Sequence, residues 1–260
     1  MKSILSKVVA SVCLAGALAL WALPAGAQAS DAKEKPGLYT YVSNWTIPRA
    51  RWADMDKDSV STAKVLDRAV AGGTIVAYGN STNLVHTPKG PTHSGWWCAT
   101  SMAGALNVLE GFYKSGSTVT PVFSSATEHW DNLYVSRFYN WHPGVVKGGY
   151  VHGATYTLKP DAPNDAVEIL AKGLLVPFLE KLVADGTVVA YQIAEENVHT
   201  DDPNMFYLFF ITPTAEGLDK VNAALRESIG SQPLAVRGFG SMVDFTPHRD
   251  SLGRVDASFK

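Results

Sequence analysis

The sequence predicts an α+β protein built from two tandem βαββαβ halves whose antiparallel sheets pack face to face. The first observation is an internal repeat, because residues 73–78 read Gly-Thr-Ile-Val-Ala-Tyr and residues 186–191 read Gly-Thr-Val-Val-Ala-Tyr. A Val-His-Thr triplet follows both copies at the same distance, at residues 85–87 and 198–200. The second observation is that strand and helix patterns occur in the same order around each copy. The chain is therefore interpreted as a duplication.

The first half contains strand and helix patterns in the order βαββαβ, which is a split βαβ or ferredoxin-like unit. Its first helix is expected after Asp58 and Ser59, which are placed to cap it, and Gly72 is expected to end it. Apolar residues at helical spacing between positions 102 and 113 predict the second helix. The predicted strands are residues 39–45, 75–78, 95–100 and 132–139.

The second half repeats this order. Its first helix covers about residues 166–184, and Pro177 predicts a kink or a break there, because proline has no backbone N–H to donate. Its second helix is expected to begin after Thr212, which is placed to cap, with Pro213 in the first helical position. The predicted strands are residues 151–158, 187–194, 205–211 and 234–245.

The duplication also predicts how the two sheets are covered. Both helices of a βαββαβ unit lie on one face of its sheet, so the other face is bare unless a second layer covers it. We expect the first half, residues 30–145, to supply that layer for the second half, residues 146–260. Eight strands arranged in this way enclose an interior that is wide enough for side chains or for one small ligand.

Residues 1–29 have the pattern of a secretory signal peptide. Lys2 and Lys7 precede an apolar run at residues 8–23, and Ala27-Gln28-Ala29 resembles a cleavage site. We expect cleavage after Ala29 and an exported protein, periplasmic or extracellular, with no membrane segment once the signal is removed.

Charge and cysteine content argue against several classes of function. The chain has 22 basic and 24 acidic residues and no basic cluster, so nucleic acid is not an expected partner. Cys98 is the one cysteine outside the signal, so no internal disulfide is expected. The seven histidines are dispersed without an HExxH motif, and we therefore expect no metal and no cofactor. The oligomeric state is left open.

The repeat and the strand order resemble the dimeric α/β-barrel superfamily, which includes antibiotic-biosynthesis-type monooxygenases, haem-degrading monooxygenases and NIPSNAP-like proteins. The resemblance covers nearly all of the chain after residue 29 and rests on no specific motif. It implies a pseudo-dimeric α/β barrel within one chain and a small aromatic or amphipathic ligand, and it leaves catalysis undecided. Asn44, Trp45, Trp96 and Trp97 are similar to the Asn and Trp of haem-degrading members, but the helix after Trp97 has no histidine for haem iron.

Four residues are predicted to line the ligand pocket: Asn44, Trp97, Tyr134 and Arg137. The amide and the guanidinium can hold polar groups of a ligand, and the two rings offer flat apolar surface. Other uses of these residue types are common, since tryptophans of this kind usually belong to a core and a strand arginine usually forms an ion pair within the protein.

Two further hypotheses compete with ligand binding. The first is a cofactor-independent oxygenase or isomerase in which His129 acts as a base and Arg137 or Asn44 stabilises an enolate-like oxyanion. The second is a structural or partner-binding module. The repeated His86 and His199 are interpreted as turn residues that satisfy loop backbone, with acid-base or ligand roles as the alternative.

Overall fold

The computed structural model describes residues 34–88 and 90–260, so the predicted signal peptide lies outside the described residues. The strands are β1 (Leu38–Thr46), β2 (Ala77–Asn83), β3 (His93–Ala99), β4 (Glu128–Trp141), β5 (Gly144–Leu158), β6 (Ala190–Val198), β7 (Met205–Thr212) and β8 (Val243–Phe259). The α-helices are α1 (Trp52–Ala71), α2 (Met102–Ser115), α3 (Ala166–Leu170), α4 (Val176–Ala184), α5 (Ala215–Ser231) and α6 (Pro233–Met242).

The eight strands form one closed antiparallel barrel in the order β1-β3-β2-β8-β5-β7-β6-β4. The prediction of two sheets packed face to face is therefore wrong. The halves are joined edge to edge, because β2 pairs with β8 and β4 pairs with β6. Open sheet edges carry unpaired backbone N–H and C=O groups, and closing the barrel pairs the edges of each half with those of the other.

The largest apolar clusters lie outside the barrel wall, under the helices. In the first half Tyr41 and Trp97 on the strands pack with Leu66 of α1 and Phe112 of α2. In the second half a larger cluster joins the outer faces of the strands to α3, α4 and α6. A third cluster, which includes Leu38, Cys98 and Phe259, fills one end of the barrel. The other end of the interior is left for polar side chains.

The strand predicted for residues 234–245 is wrong, since residues 233–242 form α6 and β8 begins at Val243. Proline is well tolerated at the first position of a helix, where Pro233 stands. Phe239 and Met242 are three residues apart and both pack on the core of the second half. The alternation that marks the true last strand lies further on, where Gly253, Val255, Ala257 and Phe259 are buried in turn.

Helix ends also differ from the sequence prediction. Thr214, not Thr212, caps α5, and its hydroxyl accepts a hydrogen bond from the backbone N–H of Gly217. The helix predicted for residues 166–184 is divided by a π-helical segment, Ala171–Leu175, directly before Val176 and Pro177. Pro177 cannot donate a backbone hydrogen bond, which accounts for irregular bonding in the preceding turn. No helix in the described part of the chain is long and apolar enough to cross a bilayer.

Candidate functional site

The interior of the barrel contains a cavity of about 290 Å³ lined by residues from all eight strands. Successive side chains of a strand point to opposite faces of the sheet, so every second residue faces inward. In β1 these inward residues are Thr40, Val42 and Asn44, whereas Tyr41 packs outward under α2. The polar face of this strand therefore lines the cavity, and its apolar face meets the helices.

One part of the cavity wall is aromatic. The rings of Trp96 and Trp141 each lie 6.0 Å from that of Phe259. Trp141 is brought to the inner face by an irregularity of register in β4 between Ser136 and Phe138, which reverses the alternation of the strand. An aromatic, apolar surface thus forms near the end of the barrel that Leu38 and Cys98 fill.

A chain of hydrogen bonds crosses the opposite part of the wall. The Ser94 hydroxyl donates to Asn44 Oδ1 at 2.7 Å, Asn44 Nδ2 donates to Asn132 Oδ1 at 3.1 Å, and Asn132 Nδ2 donates to Glu196 Oε1 at 3.0 Å. Asn44, Asn132 and Glu196 are all buried. Each bond points toward the carboxylate, so the chain has one direction and holds both amides in a single orientation.

Glu196 ends this chain as a carboxylate. It accepts hydrogen bonds from the backbone N–H groups of Thr200 at 2.8 Å and Asp201 at 3.1 Å, and from the Thr200 hydroxyl at 2.9 Å. Burial acts to raise the pKa of Glu196, but these donors outweigh burial and lower that pKa below its ordinary value. The buried side chain is therefore negatively charged at neutral pH.

Asp201 lies beside this chain in the connection after β6, and its exposed carboxylate also lines the cavity. The Tyr207 hydroxyl donates to Asp201 Oδ2 at 2.8 Å. Burial raises the pKa of Tyr207, and Tyr134 and Asp201 raise it further. The pKa of Tyr134 is also raised, first by burial and then by Asp201 and Glu196. Both phenols are therefore neutral at physiological pH.

A second group of hydrogen-bonded side chains lies on the side of the cavity that the rings of Trp96, Trp141 and Phe259 form. The Thr40 hydroxyl donates to Gln192 Oε1 at 3.0 Å, and Gln192 Nε2 donates to Cys98 Sγ at 3.2 Å. Burial raises the pKa of the Cys98 thiol to about 11, although the contacts with Thr40 and Gln192 act to lower it. Cys98 is therefore a neutral thiol and lacks the thiolate character of a nucleophile.

The structure brings together two of the four residues predicted for ligand binding, since Asn44 and Tyr134 both line the cavity. Trp97 faces the other way, and its indole N–H donates to the carbonyl of Ala105 in α2 at 2.9 Å. Arg137 lies outside the barrel and pairs with Glu34 at 3.4 Å and Glu195 at 3.6 Å.

His129 also lies on the outer face. Its ring stacks on Trp45 with 3.6 Å between centroids, Nδ1 donates to the Asn44 carbonyl at 2.9 Å, and Nε2 lies 3.4 Å from Asp131 Oδ2. His129 is not among the residues that line the cavity, and neither are His86 and His199. The barrel interior thus contains none of the three histidines considered from the sequence.

Several residues of the cavity wall were not predicted: Ser94, Asn132, Gln192, Asp201 and Tyr207 line the cavity, and Glu196 lies behind Asn132. The sequence contains one signal for them, a Glu-Glu pair at positions 195–196 inside strand β6. Alternation places one of these glutamates on each face, and the inward one needs polar partners. Within residues 34–88 and 90–260, no group of three or more His, Cys, Asp or Glu side chains is arranged to hold a metal ion.

No protein-family model and no curated protein matches the sequence. The fold is similar to that of a candidate monooxygenase from Lactobacillus acidophilus NCFM, with a TM-score of 0.59 and 12% identity over 85% of this chain and 96% of that chain. A candidate monooxygenase from Fusobacterium nucleatum gives a TM-score of 0.55 at 7% identity, covering 87% of this chain and 95% of that one. An anthrone oxidase-like protein gives 0.53 at 11% identity, covering 85% and 92%.

These neighbours are dimeric α/β-barrel proteins, and this chain has the same fold. Identities of 7 to 12% show a shared fold and carry no activity from one protein to another.

Proposed function

We propose that this protein binds one small aromatic or amphipathic molecule inside the barrel. The observation that carries the proposal is the cavity of about 290 Å³, which has an aromatic wall on one side and a hydrogen-bonded polar wall on the other. Known ligand sites combine apolar lining with a few placed polar groups and range from about 300 to 1,000 Å³. This cavity is at the small end of that range, which favours a molecule of one or two rings.

The two walls give the ligand an orientation. The apolar part packs on the rings of Trp96, Trp141 and Phe259. The polar part faces Asn44, whose side-chain nitrogen carries two N–H donors, and contacts among the described residues account for one of them. An amphipathic molecule thus meets a partner of the right polarity at each end.

A screen of one- and two-ring aromatic fragments by ligand-observed NMR tests the proposal. Val42 lines the cavity, so Val42→Trp fills part of it, and we expect fragments bound by the wild type to lose affinity by about tenfold or more in this variant. The matched control is Val145→Trp, which adds the same side chain at an exposed position on the outer surface. Far-UV circular dichroism of both variants checks that the barrel has formed.

The outcomes separate clearly. Fragments that bind the wild type and Val145→Trp but not a folded Val42→Trp support a ligand inside the barrel. A library without any binder, or binders that both variants retain equally, would contradict the proposal.

A second candidate function is cofactor-independent oxygenation of the bound molecule. It is favoured by Asn44, which lines the cavity and whose side-chain nitrogen has a second N–H that can donate to an oxyanion of the ligand. The positions of His129 and Arg137 outside the barrel give no support to their suggested roles as base and oxyanion partner. A pure binding protein returns its ligand unchanged, whereas an oxygenase consumes dioxygen in the presence of the same fragment.

A further inference from the structure

The charged residues around the cavity have one sign. Asp201 lines the cavity, and among the described lining residues there is no Lys, Arg or His. Glu196 stands directly behind Asn132 in the same wall, 3.0 Å from its amide nitrogen. Among residues 34–88 and 90–260, neither carboxylate takes part in an ion pair. Two carboxylates that form no ion pair within 4 Å in the described part of the chain give the interior a negative potential.

Aromatic faces add to this preference next to Asp201. The Tyr207 ring lies 4.7 Å from that of Tyr134, and the Phe209 ring lies 5.7 Å from that of Tyr134. All three residues line the cavity. The face of an aromatic ring carries partial negative charge and attracts cations, most strongly where water is excluded. The Asp201 carboxylate and these three rings therefore all favour a positively charged ligand.

Asp201 is held in place and still has capacity for a ligand. Its Oδ2 accepts the hydrogen bond from Tyr207 at 2.8 Å, and Asn132 Nδ2 lies 3.4 Å from the same oxygen. Its backbone N–H is fixed on Glu196 at 3.1 Å. Within the described chain these contacts use one of its two carboxylate oxygens, so Oδ1 can accept from a ligand.

We propose that the molecule bound in the barrel carries a positively charged nitrogen, such as an ammonium group on an aromatic ring system, with Asp201 as its counter-ion. Tyr207 is a positioning residue, because it orients the carboxylate. This inference rests on the proposed function and narrows it to one class of ligand. Anionic ligands such as carboxylates and phosphates meet repulsion at the same place.

Three probes of matched shape test the charge preference by isothermal titration calorimetry: 2-naphthylmethylamine, 2-naphthylmethanol and 2-naphthoate. The wild type is expected to bind the amine about tenfold more tightly than the alcohol and to bind the carboxylate most weakly. The preference for the amine should decrease as salt is raised from about 50 to 500 mM, since Asp201 is exposed and the ion pair is screened.

Asp201→Asn is expected to reduce amine binding to the level of the alcohol and to leave alcohol binding within about twofold. The matched control is Asp202→Asn, which removes the same charge from the adjacent residue, outside the lining of the cavity. It should leave the amine preference intact. Tyr207→Phe should reduce that preference in part, because the carboxylate loses the donor that orients it.

An amine that binds no more tightly than the alcohol, or a preference that survives Asp201→Asn, would overturn the inference. The proposed function stands in that case if Val42→Trp still abolishes alcohol binding. If the alcohol binds Val42→Trp as well as the wild type, the proposed function itself fails. A wild type that binds none of the three probes contradicts the cationic ligand, and the fragment screen then decides on the cavity.

Discussion

Asn132 is the residue that joins the polar wall of the barrel. It accepts from Asn44 on the neighbouring strand of the first half and donates to Glu196 of the second half. An asparagine can do both because its amide has a carbonyl acceptor and an N–H₂ donor. A leucine of similar size at this position would leave the buried Asn44 Nδ2 without its acceptor and would remove one of the four donors to Glu196. The polar wall therefore depends on this side chain across the junction of the two halves.

We expect the ionisation of His129 to make the stability of the folded protein depend on pH. Burial disfavours the charged imidazolium, but the hydrogen bonds with Asp131 and the Asn44 carbonyl outweigh burial and raise the pKa of His129. A raised pKa in the folded state stabilises the protein fully below the unfolded-state pKa of about 6.5, and that contribution is lost as the pH rises through the folded-state pKa. The ring is 37% exposed, so about 0.5 kcal/mol is expected after screening.

Thermal unfolding of the wild type and His129→Gln between pH 6 and 9 measures this contribution. The melting temperature of the wild type should exceed that of the variant at pH 6, and the gap should shrink as the pH rises. Asp131→Asn is the control, since it removes the carboxylate partner and should remove most of the pH dependence. A gap that stays constant over this range would contradict a stabilising imidazolium.

Strand alternation decides which side chains of a strand face the interior of the barrel and which face the helices. Alternation places the side chains of residues 96 and 97 on opposite faces of the barrel wall. It does not show which of them faces the interior, because helices cover the outer face and both faces are therefore shielded from water. Trp97 lies under α2, and Trp96 lines the cavity. Polar residues usually mark the solvent face of a strand, whereas in β1 the polar Thr40 and Asn44 face the interior. Because helices cover the outside of the barrel, the outer face of β1 is apolar and its inner face is polar.

Helix starts show a similar limit. Asp58 and Ser59 have the residue types of a cap, but α1 begins at Trp52 and contains both of them in its interior. Ser101 and Thr214 are true caps, because each side chain accepts from a backbone N–H three residues later. Tertiary contacts explain why α1 begins before Asp58. Its first turn packs through Trp52 and Met55 against Ile47 and Val122.

Substitutions at these caps test this assignment. Ser101→Ala and Thr214→Ala should each destabilise the protein by about 1 kcal/mol, because each leaves a helix N-terminal N–H without its acceptor. For a chain of this size the melting temperature should fall by about 2–4 °C. Ser59→Ala is the matched control, and it should be neutral or slightly stabilising because alanine is favoured inside a helix. A Ser59→Ala variant as unstable as Ser101→Ala would argue that α1 begins later.

For the barrel as a whole, the repeat predicts two similar halves and an enclosed interior, but the face-to-face packing of two sheets is wrong because the halves pair edge to edge. Each half does contribute four neighbouring strands in one order, β4-β1-β3-β2 and β8-β5-β7-β6. The pairing of β2 with β8 and of β4 with β6 joins segments far apart in the chain. Local sequence patterns do not encode which edge strands pair between the halves. The unpaired backbone groups of an open edge favour pairing with any available strand.

The barrel is closed on both sides by the pairing of β2 with β8 and of β4 with β6, and we therefore expect the two halves to unfold as one cooperative unit. Leu66 of α1 and Leu179 of α4 are fully buried in the separate outer clusters of the first and second halves. Replacing either with alanine should cost about 2–5 kcal/mol. Because loss of one half exposes both edges and the inner face of the other, hydrogen exchange in dilute urea should show strand protection falling equally in both halves for either variant. If Leu66→Ala lowers protection only in β1 to β4, and Leu179→Ala only in β5 to β8, the halves are independent domains and closure does not couple them.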